Sequence, residues 1–169
     1  QLPAWFAGLD YLRDAGGIAP LTADYFEFLI FTGCRRREGL TLRWDDIDLP
    51  GRLFRLRDTK NREDHELPLS DHLVDLLKGL QAAADPDQPL VFAAGREPLL
   101  DHRYWQKKLI AKSKVTFTPH DLRRTFATVA EGLEISTYTL KRLMNHLTGA
   151  DVTAGYVQID VERLRVPMQ

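Results

Sequence analysis

Four residue types in this chain could together carry out phosphoryl transfer without a metal ion. The candidates occur along the sequence in the order Arg35, Lys60, His120, Arg123, His146 and Tyr156. A guanidinium can hold two phosphate oxygens at once and stays charged at neutral pH, so paired arginines can offset the charge that builds on a five-coordinate phosphorus. A tyrosine hydroxyl can attack that phosphorus and remain attached as a phosphoester. The set therefore predicts a metal-free phosphoryl-transfer site.

Three short patterns contain five of the candidates, and a lysine lies between the first two patterns. They are Thr32-Gly33-Cys34-Arg35-Arg36-Arg37-Glu38, Thr118-Pro119-His120-Asp121-Leu122-Arg123-Arg124-Thr125, and Met144-Asn145-His146, which nine residues separate from Tyr156. In this order they resemble the catalytic domain of the tyrosine recombinases, the phage integrase family, over residues 21 to 158. The resemblance implies an α+β, mainly helical fold with a small three-stranded antiparallel sheet. It also implies a site-specific DNA recombinase that works through a 3'-phosphotyrosyl intermediate.

The resemblance assigns a role to each candidate. Tyr156 is the nucleophile, and Arg35 and Arg123 match the two family arginines that hold the phosphate oxygens. His146 is expected to donate a hydrogen bond to a non-bridging oxygen. Glu38, three residues after Arg35, is interpreted as a structural partner that orients a neighbouring arginine.

Proton transfer falls to the two remaining candidates. The family lysine lies on a hairpin and protonates the departing 5'-oxygen, and Lys60 is the matching residue. His120 lies three residues before Arg123, so both should share one helix face. The family uses the position of His120 for proton transfer with the nucleophile or for a hydrogen bond to the phosphate, and an imidazole suits either role near neutral pH.

Two features depart from the commonest family pattern. Asn145 stands where a glycine often precedes the second histidine. The interval from His146 to Tyr156 is nine residues, one longer than usual, and residues 148–151 are expected to absorb the extra residue as a loop. The variant is closest to some phage and prophage integrases.

Hydrophobic spacing predicts the elements of the first half. Thr22 is interpreted as the N-cap of a buried helix that ends near Gly33, with Arg35 just past its end. Alternation and turn residues then predict three antiparallel strands: residues 45–49, 53–57 and 66–69, with Lys60 in the polar turn 58–62. Ser70 is expected to cap a helix with an apolar stripe.

The second half is predicted to be mostly helical. We expect a short strand at residues 90–92, a linker at residues 94–98, and a basic helix over residues 101–112 whose Tyr104, Trp105 and Leu109 turn inward. Thr118 and Pro119 predict a helix start. A further helix is expected from Ser136 to about Asn145, followed by a last helix that includes Tyr156.

Charge is unevenly distributed although the net charge is only -1. Residues 33–63 hold nine Lys/Arg against six Asp/Glu and residues 101–130 hold seven against two, whereas residues 64–100 hold two against seven. A positive face around the predicted site follows, which favours double-stranded DNA as the partner. Scattered, solvated charges are the alternative.

Other classes of function find little support. The five histidines and the single Cys34 do not make a zinc pattern, and no glycine-rich nucleotide loop occurs. The acids Asp45, Asp46 and Asp48 fit a turn and strand better than a metal-dependent nuclease. We therefore expect no cofactor. The single cysteine, together with the absence of a signal peptide or an apolar run of membrane-spanning length, favours the cytoplasm of a bacterial or phage-infected cell.

The resemblance also implies an organisation. Residues 1–169 are expected to form one catalytic domain, the C-terminal domain of a longer integrase whose N-terminal DNA-clamping domain is not included. The family works as a homotetramer on DNA, monomeric when free, and accessory DNA-bending proteins can take part. The tail, residues 157–169, could dock on a neighbouring subunit through apolar anchors, although packing on its own domain fits equally. These anchors are Ile159, Val161, Leu164 and Val166.

Two other functions stay open at this point. One is a noncatalytic DNA-binding or regulatory domain that keeps the fold. The other is type IB topoisomerase-like relaxation of DNA with the same residues.

Overall fold

The computed structural model describes residues 1–57, 59, 64–95, 97–99, 102–133, 135–146 and 161–169. Its α-helices are α1 Leu2–Arg13, α2 Ala19–Thr32, α3 Arg36–Leu40, α4 Asp71–Ala83, α5 His102–Ser113, α6 Pro119–Gly132, α7 Thr137–Leu143 and α8 Arg165–Met168. Its strands are β1 Ile47–Asp48, β2 Leu53–Leu56, β3 His65–Pro68, β4 Ala93–Ala94 and β5 Glu97–Pro98, and 3-10 turns cover Trp44–Asp46 and Val161–Leu164. Lys60, Tyr156, the predicted loop at 148–151 and the predicted last helix lie outside the described residues.

Helix α2 is the centre of the core. It buries residues on every side, among them Tyr25, Phe26, Phe28 and Leu29, because α1, α3, α4, α5 and α6 pack around it. The predicted N-cap at Thr22 is wrong, because the N-cap is Ile18, four residues earlier, and the Thr22 hydroxyl donates to the carbonyl of Ile18. Pro20 and Thr22 both lie in the first turn of α2, and each residue type is common at a helix start. Packing of the apolar residues selects the start before Pro20.

Gly33 ends α2 as predicted. Its φ is 64°, and its amide donates to the carbonyl of Leu29. A β-carbon there would lie 2.5 Å from the Phe126 ring, so only glycine allows both the left-handed turn and the close approach of α6.

The predicted three-stranded sheet is confirmed, in the order β1-β2-β3 and antiparallel throughout. Phe54 lies opposite Leu67 and Leu56 lies opposite His65, and all four are buried. Alternate residues of the strands therefore close one side of the core. The segment between β2 and β3 contains Lys60.

Ser70 caps α4 as predicted, with its hydroxyl accepting from the amide of Leu73 at 3.3 Å. The predicted strand at 90–92 and the linker at 94–98 are wrong. Leu90 makes an isolated bridge to Arg43, and the two short strands Ala93–Ala94 and Glu97–Pro98 pair with each other instead. Short apolar runs do not distinguish a strand from a buried loop, and here Phe92 is anchored by packing.

Helix α5 carries the buried Leu109 and the partly buried Trp105 as expected, but Tyr104 faces solvent with 47% of its surface exposed. The prediction for Tyr104 is wrong because the exposed ring packs edge-on against Trp105 and near the ammonium of Lys108. An aromatic ring on the flank of a helix can be satisfied in this way without entering the core.

Helix α1 was not predicted from the sequence. It buries Trp5, Leu9 and Leu12 against α2 and α5. A salt-bridge cluster also joins it to α2: Arg13 contacts Asp24 at 3.0 Å and the buried Glu27. His72 of α4 lies 2.9 Å from the same Glu27 and extends the cluster to a third helix.

Residues 161–169 of the C-terminal tail pack on their own chain. Leu164 is fully buried, and Arg165 donates to the carbonyls of Gly51 and Arg52 at 3.0 and 3.3 Å. Val166 is 84% exposed, so it is not an anchor within this domain, and Ile159 lies outside the described residues. In the part of the chain that the structure describes, none of the helices combines the length and apolarity needed to cross a membrane.

Candidate active site

Arg35 is held at the junction between α2 and α3. The left-handed Gly33 turns the chain, and Arg35 becomes the extended N-cap of α3. Its backbone amide donates to Glu38 Oε2 and its Nη1 donates to Glu38 Oε1, both at 2.7 Å. The carboxylate thus fixes both ends of the arginine, which confirms the orienting role predicted for Glu38.

Arg123 occupies the middle of the cluster. Thr118 is the N-cap of helix α6: its hydroxyl accepts from the amide of Asp121, and the Asp121 carboxylate accepts from the amide of Thr118. The predicted start of this helix is therefore confirmed. One turn later Arg123 is buried, and its guanidinium donates to the carbonyls of Gly33 and Met144. Arg123 therefore joins the turn that carries Arg35 to the end of α7.

The two guanidiniums are close enough to influence each other. Burial lowers the pKa of Arg123 most, and the positive charge of Arg35 lowers it further. Glu38 acts in the opposite direction on the same group. The result is a small region with concentrated positive charge, suited to an anion.

His146 follows a turn at the end of α7. The helix begins beside Ser136 as predicted, with Ser136 as its N-cap, but it ends at Leu143, before the predicted end near Asn145. Leu143 and Met144 are buried, whereas Leu140 is only partly buried. His146 is exposed, and its Nε2 lies 2.9 Å from Nη2 of Arg123. Because a guanidinium has only donors, Nε2 must accept this bond, which leaves the proton of the neutral ring on Nδ1.

The structure describes four of the six candidate residues. His120 is an exposed residue in the first turn of α6, three positions before Arg123. Arg35, Arg123 and His146 are brought together. Lys60 and Tyr156 lie outside the described residues.

The neighbouring arginines Arg36, Arg37 and Arg124 are exposed. Asp46 accepts from Arg57 Nε at 2.6 Å, and Asp48 accepts from the amide of Gly51 at 2.8 Å. Both acids thus serve turns and strands. Among the residues that the structure describes, no three His, Cys, Asp or Glu side chains are grouped so that they could hold a metal ion.

One histidine near the site was missed by sequence reasoning. His65 of β3 is 3% exposed, and burial, followed by the charge of Arg142, lowers its pKa to about 4. A hydrogen bond with the backbone of Leu143 connects it to α7. The alternation of His65 with the buried Leu67 was the signal that could have placed it in the core. With this lowered pKa His65 is neutral near pH 7, and its hydrogen bond with Leu143 holds the end of α7 against β3.

Comparison with known proteins identifies the family to which the chain is similar. The model of the phage integrase family matches residues 15–163. Prophage integrase IntF of Escherichia coli K12 is 28% identical over 98% of this chain and 35% of its own length. Tyrosine recombinase XerA of Saccharolobus solfataricus is 32% identical over 81% of this chain and 45% of its own length. The chain thus spans between about a third and a half of these relatives.

Solved structures share the fold. The integrase from mycobacterium phage Brujita superposes with a TM-score of 0.71 at 18% identity, covering 96% of this chain and 55% of that one. XerH recombinase in a pre-cleavage complex with its difH substrate gives a TM-score of 0.70 at 19% identity, covering 96% and 50%. The mainly helical fold with its small sheet is therefore the catalytic-domain fold of these recombinases. With the family model matched over most of its length, this chain belongs to the phage integrase family.

Proposed function

We propose that this chain is the catalytic domain of a site-specific DNA recombinase that cuts and rejoins strands through a 3'-phosphotyrosyl intermediate. The observation that carries the proposal is the guanidinium of Arg123. It bonds the carbonyl of Gly33, two residues before Arg35, and it lies 2.9 Å from the ring of His146. Residues from three separate patterns thus meet in one cationic cluster, and relatives named integrase or tyrosine recombinase support the interpretation.

The cluster suits a phosphodiester that is under attack. In the proposed reaction the hydroxyl of Tyr156 attacks phosphorus, and charge grows on the two non-bridging oxygens. The fixed guanidiniums of Arg35 and Arg123 can offset that charge without rearranging, because Glu38 and backbone carbonyls already hold them. His146 carries its proton on Nδ1, so in the neutral form this nitrogen is the one that can donate to an oxygen.

Two residues are proposed to move protons. Lys60 gives a proton to the 5'-oxygen as its bond to phosphorus breaks. His120 accepts the proton of the tyrosine hydroxyl or bonds the phosphate, and its exposure on the first turn of α6 leaves it accessible to a substrate. The 5'-hydroxyl of a partner strand then reverses the step, so no cofactor is consumed.

The proposed partner is double-stranded DNA carrying an attachment site, in the cytoplasm. Complexes of XerH with difH and of the Tn1549 integrase with transposon DNA support DNA as the ligand. We further propose that the chain works as the C-terminal domain of a longer integrase, monomeric when free and tetrameric on DNA, with accessory DNA-bending proteins able to assist. Docking of the tail in trans stays a proposal, since residues 161–169 pack here on their own chain.

A covalent-capture experiment tests the proposal. The full-length protein is incubated with fragmented DNA from its source, the reaction is stopped with detergent, and protein-linked fragments are recovered and sequenced. The recovered ends define a cleavage site, which is then rebuilt as a duplex with a nick just 3' of that site. Cleavage releases the short strand and traps the adduct.

The wild type should form a 3'-linked adduct, and Tyr156→Phe should bind the same duplex but form none. Tyr138→Phe, a substitution of a partly buried tyrosine on α7, is the matched control and should react normally. Equal DNA binding by wild type and Tyr156→Phe without any adduct would indicate a noncatalytic domain. Relaxation of plasmids lacking the site by single subunits would indicate a topoisomerase.

A further inference from the structure

Asn145 connects two segments that each lead directly into a proposed catalytic residue. Its Nδ2 donates to Oγ1 of Thr59 at 2.9 Å, although the two residues lie 86 positions apart. Thr59 immediately precedes Lys60, and Asn145 immediately precedes His146. This hydrogen bond therefore ties the segment between β2 and β3 to the end of α7.

The backbone of Asn145 explains which residues can occupy this position. Its φ is 48°, in the left-handed region that glycine adopts freely and asparagine tolerates better than most residues. Glycine would supply the turn but no side chain. Asparagine supplies the turn and also an amide that reaches Thr59, so the departure from the commoner glycine adds a contact that a glycine could not make.

The contact joins two parts of the proposed site. Thr59 is only 3% exposed, so its hydroxyl is shielded from water and benefits from a partner in the protein. At the other end, Asn145 lies between Met144 and His146, and both of these contact the guanidinium of Arg123. Thr59, the residue before Lys60, is thus connected through Asn145 to the residues that contact Arg123, the arginine proposed to hold the phosphate.

We propose that Asn145 is a positioning residue for the general acid, acting through Thr59 on Lys60. This inference rests on the proposed function. In the step concerned, the oxygen of Tyr156 bonds to phosphorus while the bond from phosphorus to the 5'-oxygen breaks. That oxygen takes a proton from the ammonium of Lys60, which becomes a neutral amine. Small displacements of a proton donor slow such a step strongly, because the transfer needs hydrogen-bond distance.

The test compares two leaving groups in single-turnover cleavage by the full-length protein. One nicked duplex has the natural 5'-oxygen at the cleaved bond, and the other has sulfur in its place. A thiol has a pKa of about 8.5, far below that of an alcohol, so a thiolate leaves without a proton donor. Lys60→Ala sets the reference pattern: slow cleavage of the oxygen substrate and near-normal cleavage of the sulfur substrate.

Asn145→Gly keeps the left-handed turn and removes the amide, and Thr59→Val removes the hydroxyl while keeping the shape. Each should slow the oxygen substrate about tenfold, the loss expected for one misdirected hydrogen bond in a proton transfer. The double variant should be no slower than either single variant, and sulfur should restore all three to within about twofold of wild type. Thr59→Ser keeps the hydroxyl and should react like wild type on both substrates.

The outcomes separate this inference from the function on which it rests. If the variants lose the same factor in cleavage rate on the oxygen and the sulfur substrate, the contact contributes only to general stability. If Asn145→Gly cleaves the oxygen substrate as fast as wild type, Asn145 has no positioning role. Either result overturns the inference while the recombinase function stands. If the wild type cleaves neither substrate at its captured site, the proposed function fails and this inference fails with it.

Discussion

Replacing Arg123 by lysine should separate the geometry of the cationic cluster from its charge. The guanidinium of Arg123 donates to two buried carbonyls, those of Gly33 and Met144, and also reaches His146. An ammonium keeps the charge but, as a compact point charge, cannot span both carbonyls. A hydrogen bond to a charged group contributes about 1.5 to 3 kcal/mol, so losing one and leaving a buried acceptor unpaired should lower the free energy of unfolding by roughly 3 kcal/mol.

The catalytic effect should exceed what this loss of stability explains. Removing one fixed donor to a developing oxyanion slows catalysis by about 10² to 10³. We expect Arg123→Lys to slow single-turnover adduct formation by that factor under conditions where urea titration shows the variant fully folded. Arg124→Lys, at the exposed next position on α6, is the control and should change neither stability nor cleavage rate appreciably. If the two lysine variants cleave alike, Arg123 does not hold the phosphate as argued.

Three further predictions concern the surroundings of this arginine. Glu38→Gln should slow adduct formation at least tenfold while strengthening DNA binding, measured by fluorescence anisotropy, because the substitution frees Arg35 and removes a negative charge. His65 is held neutral with a pKa of about 4, so between pH 6.5 and 4 the unfolded state binds its proton more readily. The contribution of neutral His65 to the free energy of unfolding is full above pH 6.5 and is lost as the pH falls from 6.5 to 4. Over this range the free energy of unfolding of the wild type should therefore fall by up to about 3 kcal/mol more than that of His65→Phe, measured by urea titration at several pH values. Gly33→Ala should destabilise the domain by about 2 kcal/mol or more in thermal or urea unfolding, through left-handed strain and contact with Phe126.

Controls for these three are available in the same chain. Glu66→Gln, on the partly exposed sheet edge, removes a charge without touching Arg35 and should leave the cleavage rate unchanged. His72→Gln should lose the same free energy of unfolding as wild type between pH 6.5 and 4, because the substitution leaves His65 and its proton uptake unchanged. Gly79→Ala meets no atom within 4 Å and lies inside α4, so it should stabilise the domain by about 0.5 to 1 kcal/mol. Destabilisation at Gly79 as large as at Gly33 would contradict the reasoning for the turn.

Features determined by neighbouring residues in the chain were predictable from the sequence. Gly33 at the end of α2, Ser70 before α4 and Thr118 before α6 all act within one helical turn, so their chemistry can be interpreted locally. Thr22 failed under the same rule because two starts were compatible with the sequence and packing chose between them. The helical spacing of the buried residues Trp5, Leu9 and Leu12 in α1 is a local signal of the same kind.

Features that depend on distant parts of the chain were not predictable. That Arg123 would donate to the carbonyl of Gly33 follows from how α6 packs on α2, and no spacing within the sequence encodes it. The hydrogen bond from Asn145 to Thr59 is of the same kind. Motif similarity identified residue types for the candidate site, but the contacts that hold them are tertiary.

The charge balance of the cluster indicates why an acid such as Glu38 belongs beside an anion site. Arg35 and Arg123 supply two positive charges, Glu38 removes one, and His146 accepts a bond from Arg123 in its neutral form. The net charge of +1 matches a bound phosphodiester, which carries one negative charge. Attack by the oxygen of Tyr156 adds a second negative charge. In the proposed mechanism His120 offsets this charge by taking the phenol proton, and Lys60 neutralises the departing oxygen by giving up its own proton. A cluster without Glu38 would bind the ground state more tightly and gain less on reaching the transition state, because only interactions that strengthen along the reaction accelerate it.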